Sequence, residues 1–261
     1  MMPNTKISIN RRSIAVSLSV LTLIVIVLST GFVLADYFTG HTSDLLHKLV
    51  KLFYVELEMN VPSFFNMLLL LCAALLLAFI SVVTTKQTGS RKLEWLILTA
   101  GFFWMAFDEI VAIHDRLVEP MRAVLGEENL GIFYFAWVVP AIILVLFLAA
   151  FFFRFWLNLP SKTRIAFLIA AVLYLGGAIG FELIDGGYAE THGTDNPIYI
   201  ILTTIEESLE MFGVVYFIRA LLGYAADVFN GVEVQFAVSC ESEQRQEYAS
   251  PHPQREWAKN L

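Results

Sequence analysis

Three uninterrupted apolar runs constrain what this chain can fold into more than any other feature. None contains a charged residue, and each matches or exceeds the roughly 20 residues with which a helix crosses about 30 Å of hydrocarbon. The runs are Ile14–Leu34, Val61–Thr85 and Leu130–Phe153. Only 16% of the chain is charged, against about 25% in an ordinary soluble domain. Because the runs are continuous rather than alternating, they disfavour a β-barrel and predict an all-α integral membrane protein.

Three further segments are apolar enough to cross a membrane but contain acidic residues. They are Leu93–Ile113, Ile165–Ile184 and Ile198–Leu222. The sequence therefore predicts one bundle of six transmembrane helices over residues 14–222. A short N-terminus, residues 1–13, precedes it, and a polar tail, residues 223–261, is expected to be disordered. The first run is longer than the 7–15 apolar residues of a signal peptide, so we expect it to be retained as a helix.

The basic residues predict an orientation for this bundle. Most Lys and Arg residues of the loops lie on the side of the N-terminus, and such residues concentrate in cytoplasmic loops. We therefore expect both termini to be cytoplasmic, in the inner membrane of a bacterium, a source that the short loops favour. Between the first two spans, Thr42–Asn60 has leucines at helical spacing after a capping Ser43 or Asp44. This pattern predicts an amphipathic helix on the outer surface.

Ionisable groups within the apolar segments are the strongest indication of function. A charge near the bilayer centre costs roughly 2.5–3.5 kcal/mol, so such groups usually face a protein interior, pair with a partner or bind an ion. The expected orientation places them all in the outer half of the bundle. Together with Glu58, which stands at the junction before the second span, we call them the acidic cluster: Glu58, Asp108, Glu109, His114, Asp115, Glu182, Asp185, Glu206, Glu207 and Glu210.

Helical geometry indicates which of these groups can share a face. Successive residues rotate by about 100°, so Glu206 and Glu210, four residues apart, stack on one face. His114 faces a different side from its neighbours unless the helix unwinds there. The groups near the ends of their spans could instead mark hydrated helix ends, an alternative that weakens for Glu206 and Glu210 because they lie deep in an apolar segment.

Closely packed carboxylates repel one another unless something compensates their charge. The membrane-depth parts of these spans contain no Lys or Arg, which leaves protons or a metal ion. Chemically, the pattern is similar to the carboxylate-bridged di-iron and di-manganese bundles, although their paired Glu-x-x-His motif is absent. The predicted ligands are Glu109, His114, Glu182, Glu206 and Glu210, with Asp108, Asp115, Asp185, Glu207 and Glu58 as further candidates. Such an oxygen-rich set favours iron or manganese, with zinc and calcium left open.

Several functions remain compatible with this pattern. The first is a membrane metalloprotein, and specifically an oxidoreductase acting on a lipid-like substrate. The second is a protein that transports protons or cations, although the inner halves of the spans carry no charged residues other than Glu94 and Arg219 near their ends to complete a relay. A non-catalytic subunit or assembly factor of a larger membrane complex and a metal-dependent lipid hydrolase are the others. The expected partners are the lipid bilayer and membrane-complex subunits, and no nucleic acid.

Overall fold

The computed structural model describes residues 11–88, 93–126 and 129–229 of the chain. All regular elements in these ranges are helical. A 3₁₀ turn, Gly131–Phe133, precedes α6, and a π-helical segment, Gly176–Phe181, joins α7 to α8. The α-helices are α1 (Arg11–Phe38), α2 (Asp44–Phe53), α3 (Val61–Thr88), α4 (Leu93–Val111), α5 (Ile113–Leu125), α6 (Val138–Leu157), α7 (Ser161–Leu175), α8 (Glu182–His192) and α9 (Pro197–Val228).

Five helical stretches are long and apolar enough to cross a membrane, or six if the bent pair α4 and α5 counts as one span. The continuous stretch Ser161–His192 is one of the five and contains α7, the π-helical segment and α8. Many large apolar side chains on α1, α6 and α7 are exposed, as expected for surfaces that face lipid. The all-α prediction is therefore confirmed, while the orientation and the amphipathic surface helix remain predictions.

Helix α9 is the centre of the bundle. It packs against α1, α3, α7 and the π-helical segment, and its side chains Val214, Ile218 and Leu221 are among the most buried in the molecule. It begins at Pro197, where the missing N–H of proline costs nothing, and the Asn196 side chain caps it by accepting from the Tyr199 N–H at 3.0 Å. In contrast, α6 packs mainly against the π-helical segment.

Several helix boundaries differ from those expected from the sequence, and one of the largest differences is at the start of α6. The run that was expected to be helical from Leu130 becomes α-helix only at Val138. Asn129 and Gly131 both adopt left-handed backbone angles, φ +61° and +57°, which an α-helix cannot contain. Pro140 then falls in the first turn of α6, where N–H groups have no partner within the helix.

At the other end of the chain, α9 continues to Val228, six residues past the boundary expected at Leu222. The disordered tail predicted for residues 223–261 lies outside the described residues from residue 230 onwards. The same holds for residues 1–10 of the predicted N-terminus.

The π-helical segment lies close against α9, and a glycine makes this approach possible. A Cβ placed on Gly177 would lie 2.6 Å from the backbone oxygen of Glu206 and 2.9 Å from Cγ of Glu210. Gly213 of α9 faces Tyr174 with similar closeness, 2.7 Å to its backbone nitrogen. These two contacts bring the helices that carry Glu182, Glu206 and Glu210 together.

Candidate functional site

A break between α4 and α5 creates the first part of the site. Ala112 adopts left-handed angles, φ 50° and ψ 54°, and the two helices meet at an angle of 81°. The Asp108 carboxylate bridges the break: Oδ1 accepts from the backbone N–H groups of Ile113 at 3.0 Å and His114 at 3.3 Å. Asp108 thereby caps the start of α5, as carboxylates at helix N-termini do.

The same carboxylate holds the His114 ring. Asp108 Oδ2 lies 2.6 Å from Nδ1 of His114, so Nδ1 carries the proton and donates it to the carboxylate. In the neutral form of the imidazole, Nε2 is then the nitrogen with a free lone pair. It faces two further acids, Asp115 at 3.5 Å and Glu58 at 3.9 Å. The sequence placed His114 on a different side from the acids unless the helix unwound, and the break at Ala112 supplies that change of direction.

Glu58, His114 and Asp115, which we call the His114 group, can each offer one ligand atom within 4.8 Å of the others. It is the only set of three or more His, Cys, Asp or Glu residues in the described part of the chain that meets this criterion. Glu58 enters from the segment between α2 and α3, which is held by a reciprocal cap. Asn60 N–H donates to Ser63 Oγ at 2.9 Å, and Ser63 N–H donates to Asn60 Oδ1 at 3.1 Å.

A second set of carboxyl groups, the Glu206 group, comprises Glu182, Asp185 and Glu206. The Glu206 side chain is within hydrogen-bonding range of the carboxyl groups of both others. Asp185 is fully buried, and neither of its oxygens accepts from an N–H or hydroxyl donor of the described residues. Carboxylates this close to one another repel, so a proton or a cation between them would stabilise the group. The Trp137 indole fixes Glu182 by donating to its Oε1 at 2.6 Å.

The remaining acids have partners that no sequence pattern singled out. Asn66 of α3 donates from Nδ2 to Oε1 of Glu109 at 2.9 Å. Glu207 and Glu210 are half-buried on α9 and are electrostatic neighbours of each other. Glu56 accepts from the Tyr199 hydroxyl at 2.7 Å. Glu56 was missed because it falls in the segment predicted as an amphipathic surface helix, where a glutamate is ordinarily solvated; in the structure that helix ends at Phe53.

The electrostatic surroundings act on the two loop glutamates, which lie outside the spanning helices. Burial raises the pKa of Glu56 to about 8, against an opposing hydrogen bond from Tyr199. Burial also raises the pKa of Glu58 to about 7, with His114 opposing the shift and the carboxylates of Asp115 and Asp108 adding to it. Both shifts arise first from burial, and neighbouring carboxylates add to them.

A single cavity of about 950 Å³ connects these groups. Nine of the ten members of the acidic cluster line it, and Glu56 does so as well, whereas Asp185 lies behind the wall, next to Glu206. Within the described residues the wall contains His114 and no Lys or Arg. The other predicted metal candidates therefore share one space with the His114 group but do not form one compact ligand set with it.

Two other histidines that the structure describes, His41 and His192, have different partners. His41 Nδ1 lies 2.8 Å from Asp36 Oδ2, and the His192 ring stacks on Tyr188 at 4.4 Å between ring centroids. Neither lines the cavity.

The fold and the site together define a class: an all-helical protein with membrane-length helices around a cavity lined by carboxylates. Within that class, the chain belongs to the family DUF8692, a domain of unknown function, whose match covers residues 18–224. That range contains every residue of the acidic cluster. No curated protein matches the chain. No solved structure matches it either.

Proposed function

We propose that this chain is a membrane metalloprotein whose His114 group binds a divalent cation. The observation that carries the proposal is the arrangement of the His114 ring. Its Nδ1 is held by Asp108 at 2.6 Å, while Nε2 points at Glu58 and Asp115. A carboxylate that fixes the far nitrogen of a ligating histidine is the usual outer shell of a protein metal site, because it sets the tautomer and the ring orientation.

The charge around the group supports a cation rather than a purely structural role. Asp108 and the three members of the His114 group bring three carboxyl groups to one imidazole, and Oε2 of Glu58 is buried without a hydrogen-bond donor. A divalent cation would supply the missing positive charge to these oxygens. The Glu206 group, Glu109 and Glu210 line the same cavity and could hold a second ion or its bound water.

The donor set favours iron or manganese. One imidazole and several carboxylates are ligands that both metals accept, whereas zinc usually takes more nitrogen or sulfur. Iron and manganese change oxidation state, and a site of this kind in a membrane would supply oxidoreductase chemistry. The residues of the chain would then bind the ion through Glu58, His114 and Asp115, and Asp108 would keep the imidazole in the ligating tautomer.

The test is elemental analysis of the purified full-length protein beside matched variants. The wild-type protein should contain a near-integer amount of metal per chain, and the variants His114→Gln and Glu58→Gln should contain little or none. Glu206→Gln/Glu210→Gln tests whether the deeper carboxylates hold metal too. Glu119→Gln is the control, because Glu119 is exposed on the same helix as His114 and pairs only loosely with Arg122, at 3.9 Å. Folded wild-type protein without iron, manganese, zinc or calcium, also after incubation with each ion, would refute the proposal.

A second candidate, proton transfer, rests on a different observation. The buried Asp185 has no donor partner apart from a neighbouring carboxyl group, so the Glu206 group must share a proton if no cation is present. Intramembrane carboxylates of this kind serve proton relays in transporters. Proton flux into liposomes that is lost in Glu206→Gln and insensitive to chelators would favour this function over the metal site.

A further inference from the structure

The cavity continues far beyond the acidic cluster. Its wall on the α6 side extends from Trp137 to Trp156, and nineteen residues of helix correspond to about 28 Å. This length is close to the roughly 30 Å of a bilayer's hydrocarbon core. The volume of about 950 Å³ is at the upper end of the roughly 300–1,000 Å³ of small-molecule pockets.

The two ends of the cavity differ in chemistry. The carboxylates occupy one end, where α4, α8 and the first half of α9 meet. The rest of the wall is aliphatic and aromatic, with Leu148 and Phe152 on α6 facing Phe167 and Phe217 on α7 and α9. Phe217 closes this part of the wall by packing on Phe167, at 4.9 Å between ring centroids. Water finds few hydrogen-bond partners in such an apolar space, whereas a hydrocarbon chain needs none.

The position of α6 explains why the space exists. Its residues facing the cavity recur at helical spacing, as Ala141, Leu144, Leu148 and Phe152 do. However, α6 packs mainly against the π-helical segment, and nearly all of its most apolar stretch is unburied. The cavity therefore lies between α6 and the other helices, where a molecule dissolved in the bilayer can occupy it.

We propose that the cavity binds one long-chain amphiphile from the bilayer, with its hydrocarbon chain along α6 and its head group at the acidic cluster. The head group is a hydrogen-bond donor without negative charge, such as a hydroxyl or an amine. Nine carboxyl groups and no Lys or Arg line the described cavity wall, so one bound divalent cation would still leave an excess of acidic groups that disfavours a phosphate, while carboxylates accept hydrogen bonds from hydroxyl and amine groups. The inference rests on the proposed function, because it names the substrate class of the same site.

The experiment uses full-length protein in phosphatidylcholine nanodiscs and two photoreactive probes with the same C16 chain, one ending in a hydroxyl and the other in a phosphate. We expect saturable labelling of α6 and of the facing helices by the alcohol, at least about 10-fold stronger than by the alkyl phosphate at equal concentration. Equal or stronger labelling by the phosphate would overturn the assignment of the head group. Labelling that does not saturate would overturn the site.

Matched variants test where the hydrocarbon chain of the probe lies in the cavity. Ala149 lines the cavity and Ala150 does not, although both are exposed on α6. Ala149→Phe should abolish saturable labelling, and Ala150→Phe should leave it unchanged. On α7, Ala171 lines the cavity and the exposed Val172 does not, so Ala171→Phe and Val172→Phe form a second pair. Equal labelling within both pairs of folded variants would refute the assignment.

Metal content measured on the same samples separates this inference from the proposed function. Ala149→Phe should no longer be labelled saturably by the alcohol probe but should keep its metal, because the new ring is far along α6 from the metal ligands. Wild-type protein that labels saturably without metal would support the amphiphile site and refute the metalloprotein. Wild-type protein that holds metal but shows no saturable labelling would refute the amphiphile site alone.

Discussion

Asp108 has two separable roles, and a conservative substitution can remove one of them. Its Oδ1 caps α5 by accepting from two backbone N–H groups, while its Oδ2 accepts from Nδ1 of His114. In Asp108→Asn, the amide oxygen can keep the cap, but the amide nitrogen replaces the acceptor for Nδ1. The tautomer with the proton on Nε2 is then favoured, because its Nδ1 can accept a hydrogen bond from the amide nitrogen. In that tautomer Nε2 has no lone pair to bind the ion.

The expected magnitudes differ for the two roles. Loss of the carboxylate that orients a ligating histidine typically lowers metal affinity by about 10–100-fold, which corresponds to about 1.4–2.7 kcal/mol. Asp108→Asn should therefore weaken metal binding by that factor and leave the melting temperature almost unchanged. Asp108→Ala should weaken binding similarly and, by losing the cap as well, cost about 0.5–2 kcal/mol of stability.

The assay is competition of purified protein with a chelator of known affinity, followed by elemental analysis, with melting temperatures measured on the metal-free samples. Glu119→Gln provides the control for loss of an acidic residue on α5. If Asp108→Asn binds metal as tightly as the wild type, Asp108 does not orient the ligand and the argument from the His114 ring fails. If the two Asp108 variants lose equal stability, the cap is not retained by asparagine.

Two further predictions concern regions away from the His114 group. Gly177→Ala should lower the free energy of unfolding by about 1–3 kcal/mol, because its Cβ would lie 2.6 Å from a backbone oxygen of α9. Gly176→Ala is the control, since the space around Gly176 is open. Equal melting temperatures of the two variants would contradict the prediction. The hydrogen bond to Asp36 raises the pKa of His41 above its usual 6.5, against slight burial and with help from the Asp36 and Asp195 charges. The stabilisation of the folded state by protonated His41 is therefore complete below pH 6.5 and is lost as pH rises through the raised pKa. The melting temperature of His41→Gln should lie below that of the wild type at pH 6 and converge with it at high pH. A difference that is constant with pH would contradict this prediction.

Hydropathy predicted most of the helical framework. The charge-free runs at Ile14–Leu34 and Val61–Thr85 lie within α1 and α3, because membrane-length apolar segments have only one way to satisfy their backbone hydrogen bonds without neighbours. The acid-containing segments were also recognised as helices. What hydropathy could not detect was the start of α6, since residues 130–137 are largely apolar as well. The left-handed backbone of Gly131 and the 3₁₀ turn that begins there keep this segment out of α6.

The members of the site could be predicted, but their grouping could not. Nine of the ten predicted residues line one cavity, because acidic groups within membrane-length apolar helices are costly in lipid and therefore face the protein interior. Helical rotation suggested that Glu206 and Glu210 share a face, and the metal hypothesis grouped them with Glu109, Glu182 and His114. In the structure, His114 instead faces Glu58 and Asp115, since the turn at Ala112 redirects the chain by 81°.

The sequence by itself determined that the chain is helical, which segments are long and apolar enough to span a membrane, and which residues carry charge into them. These properties follow from local composition and spacing, which act on each segment separately. Only the tertiary structure decided that Asp108 holds the His114 ring, that Glu56, Asn66 and Trp137 belong to the site, and that α6 stands apart to leave the long cavity. These depend on contacts between residues that are distant in the chain, and no local pattern specifies the positions at which separate helices meet.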